Sequence, residues 1–546
     1  MKRTHKIFPV ILLLLLLASC APVTPAPTAI PSVTPTAVAE SSDGFHWWND
    51  TVFYEIFVRS FRDSDGNGIG DFNGITEKLD YLQSLGVKGI WLMPINPSPT
   101  YHGYDVTDYY AVNPDYGTMD DFKRLIEEAH KRDIKVIMDL VLNHTSSQNP
   151  WFESALTPGS EDYDHYVWSD TDPGTPGPWG AKAWYKASNG KYYYAIFWDQ
   201  MPDLNYDTPA VREEGKKIAS FWLEDVGIDG FRLDAVRYLV EEDGSLADSP
   251  ANHAYLDEWG KYYRSIDPEA FTVGEAWTGN STVKHYVDTN TELDSAFNFD
   301  LSDALLKSVK DNNSTVVRFV LQSTIKDFPE QDNSNFLTNH DQNRIMSQLM
   351  GDEGKAKVAA GVLLTAPGIP FLYYGEEIGM SGAKPDEQIR TPMQWSGEEG
   401  AGFTSGIPWE AINSDYQDVN VKNQTGDSTS LLEHYRKLIE LRNEHSALQV
   451  GKTYVAKSDS SKLLSYLRAS EQETVLVLIN MDDKPVSSYD LSLATGPLSG
   501  DYTVTSLTDD SAYNTLQANA KGGFDKYVPI EEVAPYSVTI LQLNQQ

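Results

Sequence analysis

The chain has 546 residues, with 79 Asp plus Glu against 43 Lys plus Arg and a formal net charge of −36, a balance that disfavours nucleic acid and other polyanionic partners. Its length calls for about three domains, and its single cysteine excludes an internal disulfide, so that the fold must be stabilised by its core, with metal as an open addition. The 13 Trp and 30 Tyr supply flat apolar rings with polar edges, suited to sugar faces as well as to cores.

The amino terminus reads as a targeting segment: basic MKRTHK, then the apolar run IFPVILLLLLLA, then small residues ending in Cys20. Leu17-Ala18-Ser19-Cys20 resembles the bacterial lipobox, which implies lipidation of Cys20, a membrane anchor and an extracytoplasmic location. Residues 1–20 are expected to be this lipoprotein signal, and residues 21–44, rich in Pro, Thr and Ala, an extended tether with no core of its own.

The folded body is expected from residue 45. Its first apolar segment, TVFYEIFVRSF, alternates as a strand does and leads into FRDSDGNGIGDFNG, residues 61–74. There Asp63, Asp65, Asn67 and Asp71 recur at alternate positions, by which a tight loop converges oxygens on a hard cation. The first three match an EF-hand opening with Gly68 at the sharp turn, but Gly74 stands where that loop needs a bidentate Glu, and the flanking helices are missing. A metal-binding loop after a strand is the expectation, and a Gly/Asn/Asp turn without metal is its alternative.

Helices and strands then alternate. ITEKLDYLQSLG precedes GVKGIWLMPI, and DDFKRLIEEAHKRD precedes IKVIMDLVLNH; IDGFRLDAV, FTVGEAW, SAFNFDL, NFLTNHD and IPFLYYGEE follow as further strands. Eight strands with amphipathic helices between them predict an α/β fold, a (β/α)8 TIM barrel over residues 45–144 and 206–446. Residues 145–205, rich in Trp, Tyr, Gly, Pro and Asp, are too long for a plain loop and predict a subdomain inserted after the third strand. Beyond SLLEHYRKLIELRNEH, the short segments KLLSYLRAS, TVLVLIN, YTVTSL and SVTILQL predict a C-terminal antiparallel β-sandwich over 447–546.

Active sites of such barrels gather at the carboxyl ends of the strands. Asp234, Glu275 and Asp341 fall there, in GFRLDAVRY, VGEAW and TNHDQNR, and Arg232 precedes Asp234 by two residues on the same strand face. Like charges at one mouth separate their pKa values, so one carboxyl can stay protonated. A carboxylate nucleophile and a carboxylic acid about 5 to 5.5 Å apart are what retaining glycoside hydrolysis needs.

The segments DLVLNH, GFRLDAVRY, VGEAW and TNHD, with GIWLMPI, MPDLN and GIPFLYYGEE, resemble in order and spacing those of the α-amylase superfamily of retaining glycoside hydrolases, over nearly the whole mature chain. The resemblance implies Asp234 as nucleophile, Glu275 as acid and then base, and Asp341 as the group that holds the distorted sugar. It implies that Arg232 keeps Asp234 ionised, that His144 and His340 hydrogen-bond the sugar of subsite minus one, and that Tyr104 stacks on that ring with Asp105 beside it. It also places the acidic loop where several relatives bind a structural calcium ion (Ca2+), through the side chains of Asp63, Asp65, Asn67 and Asp71 and the carbonyl of Ile69.

Ala235-Val236 after the nucleophile is similar to members that cleave α-1,4 bonds, and MPDLN, residues 201–205, looks like the intermediate α-amylase subfamily. Exo-acting relatives close the nonreducing end with an Asp and an Arg; Gln417 stands in NSDYQDVN where that Arg is sought, which favours internal cleavage of starch and maltooligosaccharides. In many relatives a Lys-His pair at this point accompanies a second calcium site; here the pair is Arg237-Tyr238, so that site is not expected, although Asn143 could still ligate such an ion. The rivals are an exo-acting α-glucosidase or a neopullulanase-like transglycosylase and, outside the enzymes, an inactive glucan-binding lipoprotein. The presence of all three carboxyls argues against the last.

Overall fold

The computed structural model describes residues 45–546 except positions 243, 290 and 330. Cys20, the signal segment and the tether lie outside the described residues.

Eight parallel strands close a barrel: β1 (Phe53–Ile56), β2 (Gly89–Leu92), β3 (Lys135–Leu140), then, after three strands of the insert, β7 (Gly230–Leu233), β8 (Phe271–Gly274), β9 (Ser295–Phe297), β10 (Asn333–Asn335) and β11 (Ile369–Tyr373). β11 returns to β1 with Phe53 opposite Phe371. All eight touch segments that the alternation of the sequence singles out, with two differences. β1 stops at Ile56 and Val58–Phe61 forms a helical turn, opened by Ser60 N–H donating to Phe57 O at 3.0 Å; the acidic loop closes on its far side, Gly70 N–H donating to Arg59 O at 2.8 Å and Asp71 N–H to Arg62 O at 3.0 Å. β10 ends at Asn335, so FLTNHD lies beyond the strand, at the barrel mouth.

Period-two alternation divides each strand between two cores. Tyr54, Ile56, Ile90, Leu92, Val136 and Met138 face the surrounding helices. Phe53, Trp91, Ile137, Phe271, Val273, Phe297 and Phe371 fill the barrel, with Trp48 packed among them. Gly89 is opposite Phe53, and a Cβ there would lie 2.6 Å from the Phe53 ring. One step further along the inward rows come Glu55, Asp139 and Arg232, all buried. The barrel is apolar low down and charged near the carboxyl ends of its strands.

The outer helices follow from apolar spacing and caps. In Met119–His130, Phe122, Leu125, Ile126 and Ala129 are buried at helical spacing, and Thr118 and Asp121 form a capping box at its start.

In the insert, β4 (Trp168–Ser169), β5 (Trp184–Lys186) and β6 (Tyr192–Tyr194) make an antiparallel sheet with β6 central. MPDLN brings the chain back beside the end of the third barrel strand: Thr145 N–H donates to Pro202 O at 3.1 Å and Leu204 N–H to Asn143 O at 2.9 Å.

The C-terminal strands are β12 (Lys452–Ser458), β13 (Leu463–Ala469), β14 (Thr474–Asn480), β15 (Leu491–Leu493), β16 (Asp501–Ser506), β17 (Leu516–Gln517), β18 (Phe524–Tyr527) and β19 (Val538–Gln545). They form one antiparallel order, β17-β16-β19-β14-β13-β12-β15-β18. The two end strands approach each other: Asn514 N–H donates to Pro529 O at 2.8 Å, and Tyr527 OH to Asn514 O at 2.7 Å. β14 shows why this domain is fixed to the barrel. Leu476 and Leu478 enter its own core, while Val475, Val477 and Ile479 join the barrel's outer core.

Candidate active site

At the carboxyl ends of the barrel strands lies a cleft of about 810 Å³. Asp234, Glu275 and Asp341 line it with Tyr104, His144, Arg390 and an aromatic wall of Trp179, Phe197, Trp198 and Trp277. These four aromatics are among the most exposed large apolar side chains of the described residues, from 40% for Phe197 to 55% for Trp179.

Two neighbouring strands deliver the first carboxyls. Asp234 follows β7, its N–H donating to Leu140 O at 3.2 Å, and Glu275 follows β8, its N–H donating to Leu233 O at 2.9 Å. Ala235 then turns left-handed, at φ 49°, and its N–H donates to Glu275 Oε2 at 3.2 Å. A β-carbon in that conformation is strained, a cost that functional turns often carry.

Arg232 points up the barrel from β7 and is fully surrounded. Its Nη1 lies 2.7 Å from Asp234 Oδ1 and 2.9 Å from Asp139 Oδ1, and its Nη2 lies 2.8 Å from Glu275 Oε2. One guanidinium therefore meets three carboxyl groups. Burial pushes the Glu275 carboxyl up, and Asp234 and Asp341 add to this against the pull of Arg232, so that it reaches about 8. Burial also raises Asp139, to about 6, against Arg232.

Asp341 takes the opposite course. Burial opposes its ionisation, but His340 and Arg390 outweigh it and hold the carboxyl well below the usual range. Arg390 Nη2 is 3.0 Å from Asp341 Oδ1, and His340 Nε2 is 3.2 Å from Asp341 Oδ2. On its other side His340 Nδ1 lies 2.6 Å from Glu55 Oε1. Burial lowers the affinity of His340 for a proton, yet Asp341 and Glu55 raise it to about 9.

The residues expected to bind sugar divide into two groups. Tyr104 and His144 line the cleft, with His144 Nε2 3.2 Å from Tyr104 O. The Tyr104 hydroxyl donates to Asp139 Oδ2 at 3.0 Å and lies 2.6 Å from His340 Nε2. Arg232 and His340 lie beneath the cleft surface and act on it through the carboxyls and Tyr104. Asp105, expected beside the sugar, is not brought into the cleft wall. It is wholly buried, with the hydroxyls of Ser98, at 2.5 Å, and Thr100 both donating to its Oδ1. Gln417 also lies outside the lining.

In the acidic loop, carboxylate oxygens of Asp63, Asp65 and Asp71 lie within 4.8 Å of one another. Burial opposes the ionisation of Asp63, but the Thr404 hydroxyl and the N–H groups of Gly68, Gly66 and Asp65 hold its carboxyl below the usual range. Asn67 Oδ1 accepts from Ile69 N–H at 2.7 Å. Converging hard oxygens of this kind suit calcium. Gly74 is explained by sterics: a Cβ there would lie 1.9 Å from Arg62 O, and its N–H donates to Asp71 Oδ1 at 2.7 Å, where Asp71 caps the helix Phe72–Glu77. A Glu at that position would not fit.

Sequence reasoning missed Glu55, Asp139 and Arg390. For the first two a signal existed, since each is an acid in phase with the inward apolar residue before it, Phe53 or Ile137. Arg390 lies outside any strand and carried none.

The family described as "Alpha amylase, catalytic domain" matches residues 55–451. The chain is 42% identical over 441 residues to Alpha-amylase 3 of Dictyoglomus thermophilum, covering 80% of this chain and 85% of that protein. It is 35% identical to the Oligo-1,6-glucosidase of Parageobacillus thermoglucosidasius, covering 80% and 91% respectively. Among solved structures, the alpha-amylase from H.orenii matches with a TM-score of 0.78 and 38% identity, over 90% of this chain and 99% of that one. A carboxyl-lined mouth on a closed parallel barrel, matched along its length by these hydrolases, makes the chain a member of the α-amylase family of glycoside hydrolases.

Proposed function

We propose that the protein cleaves α-1,4-glucosidic bonds inside starch and maltooligosaccharides with retention of configuration. The observation that carries the reading is Arg232 touching both Asp234 and Glu275 at the base of an aromatic-walled cleft.

In the first step an Asp234 oxygen attacks the anomeric carbon while the bond to the leaving oxygen breaks, and Glu275 gives that oxygen its proton. In the second, the Glu275 carboxylate takes a proton from water, whose oxygen attacks the same carbon and releases Asp234. One water is consumed, and two inversions retain the configuration. Asp341, held by Arg390 and His340, accepts hydroxyls of the distorted sugar.

Two features support a neutral polymer cut internally. Among the described residues, the arginines that line the cleft are taken up by carboxylates, Arg237 Nη2 by Asp248 Oδ2 at 2.5 Å and Arg390 by Asp341, which leaves none of them free for a phosphorylated sugar. Neither Asp105 nor Gln417 is among the residues that line the cleft, which supports an open nonreducing end. Maltoheptaose labelled at its reducing end tests the reading. Products from several internal bonds are expected, whereas glucose leaving singly from the nonreducing end would overturn internal cleavage.

Asp63, Asp65, Asn67 and Asp71 by side chain and Ile69 by its carbonyl hold a calcium ion in this reading, which stiffens the loop and takes no part in the reaction. Cys20 carries the lipid, and the tether that follows holds the enzyme outside the cytoplasm, attached to a membrane.

A further inference from the structure

Asp341 is reached from behind the cleft wall by a chain of contacts that starts in the acidic loop. The Trp409 backbone is fixed there, its N–H donating to Gly68 O at 2.9 Å. Gly68 has φ 92°, and a Cβ on it would lie 1.8 Å from Ile407 O, so loop and segment are closely apposed. From this seat the indole Nε1–H donates to Ser60 Oγ at 3.0 Å, and Ser60 Oγ–H donates to Arg390 O at 2.5 Å. The indole also stacks on Tyr101, with ring centroids 5.3 Å apart and planes at 27°, and the Arg390 guanidinium lies 5.9 Å from the Tyr101 ring. Arg390 then meets Asp341 at 3.0 Å.

Arg390 has a second carboxylate within reach, since its Nη2 is 3.5 Å from Asp386 Oδ2. The Arg390 Nε–H also donates to His340 O at 2.9 Å, so the guanidinium is anchored beside Asp341 at one edge, and the Ser60 bond and the Tyr101 ring fix the backbone and the face behind it. Trp409, Ser60 and Tyr101 all lie outside the cleft lining, so whatever they do for the reaction passes through other residues. We propose that Trp409 is a positioning residue for Asp341, holding Arg390 against it through the Ser60 hydrogen bond and the Tyr101 stack. The acidic loop is thereby coupled to the sugar-holding carboxylate. The assignment rests on the role given to Asp341 above.

Trp409→Phe keeps a ring for the stack and loses the Nε1–H, and Ser60→Ala removes the relay with little change in volume. Each is expected to lower kcat on maltoheptaose by roughly 10-fold, with KM changed by less than about 2-fold, as for a misplaced group that acts in the transition state. In an Arg390→Ala background, Trp409→Phe should lower kcat by less than about 2-fold, while its effect on Tm stays the same in both backgrounds. Equal kcat losses in the two backgrounds, or parental kcat in both single variants, would overturn the proposal. Asp341→Asn separates the two levels. If it abolishes turnover while Trp409→Phe and Ser60→Ala do not slow it, the strut alone fails; if it keeps parental turnover, the reading of Asp341 fails and the proposal falls with it.

Discussion

Arg232 Nη2 lies 2.8 Å from Glu275 Oε2, yet the Glu275 carboxyl keeps its proton to about 8. Burial is the largest cause, and it prevails over the guanidinium. A general acid works only while protonated, so kcat/KM is expected to fall as pH rises through about 8. Initial rates from about pH 5 to about pH 10 check this, and a flat alkaline limb would remove Glu275 from the role.

Asp234→Asn preserves the shape of the side chain and removes the nucleophile. Turnover on starch should drop by roughly 10³-fold or more, read as release of reducing ends. Unaltered turnover in that variant would end the double-displacement mechanism.

His340 links pH to stability. Its folded pKa of about 9 stands above the ordinary value of 6.5, so the folded state binds more protons between them. The stabilisation is fully present below about 6.5 and is lost as pH rises through about 9. His340→Gln should therefore lower Tm most in mildly acidic buffer and least at high pH. A difference from the parent that grows with pH would contradict the assignment.

Chelation is expected to lower Tm, with recovery on adding calcium, because the carboxylates of Asp63, Asp65 and Asp71 lose the cation that offsets their repulsion. Asp63→Asn should remove most of that response. Identical melting curves before and after exhaustive chelation would count against a bound ion.

Trp277 is set as a platform: it stacks on Phe299 at 4.7 Å and 12°, and Arg237 Nη1–H donates to its carbonyl at 2.9 Å. Trp277→Ala should raise KM for maltoheptaose by about 3- to 10-fold through lost stacking. The ratio of KM between maltoheptaose and maltotriose reports it, and an unchanged KM for both would show that sugars do not rest there.

The order of the elements and three of the carboxyls at the mouth, Asp234, Glu275 and Asp341, were legible in the linear chain, whereas Glu55 and Asp139 were not. Period-two alternation marks strands because successive side chains point to opposite faces, and this is why Arg232 and Asp234 could be assigned to one face from their spacing alone. The acidic loop is legible for a similarly local reason, and Gly74, where a Cβ would clash with Arg62 O, marks it off from an EF-hand in the sequence itself. What only the tertiary structure decided is which charges meet. Glu55 and His340 are 285 residues apart and touch at 2.6 Å, and Arg390 reaches Asp341 across 49 residues. Asp105 stands next to Tyr104 in the chain, yet it is buried against Ser98 and Thr100, outside the cleft wall. Hydrogen bonds and charge pairs act over a few ångströms of space in a low-dielectric interior, where separation along the chain carries no weight. Closure of the barrel is what brings such partners to one mouth.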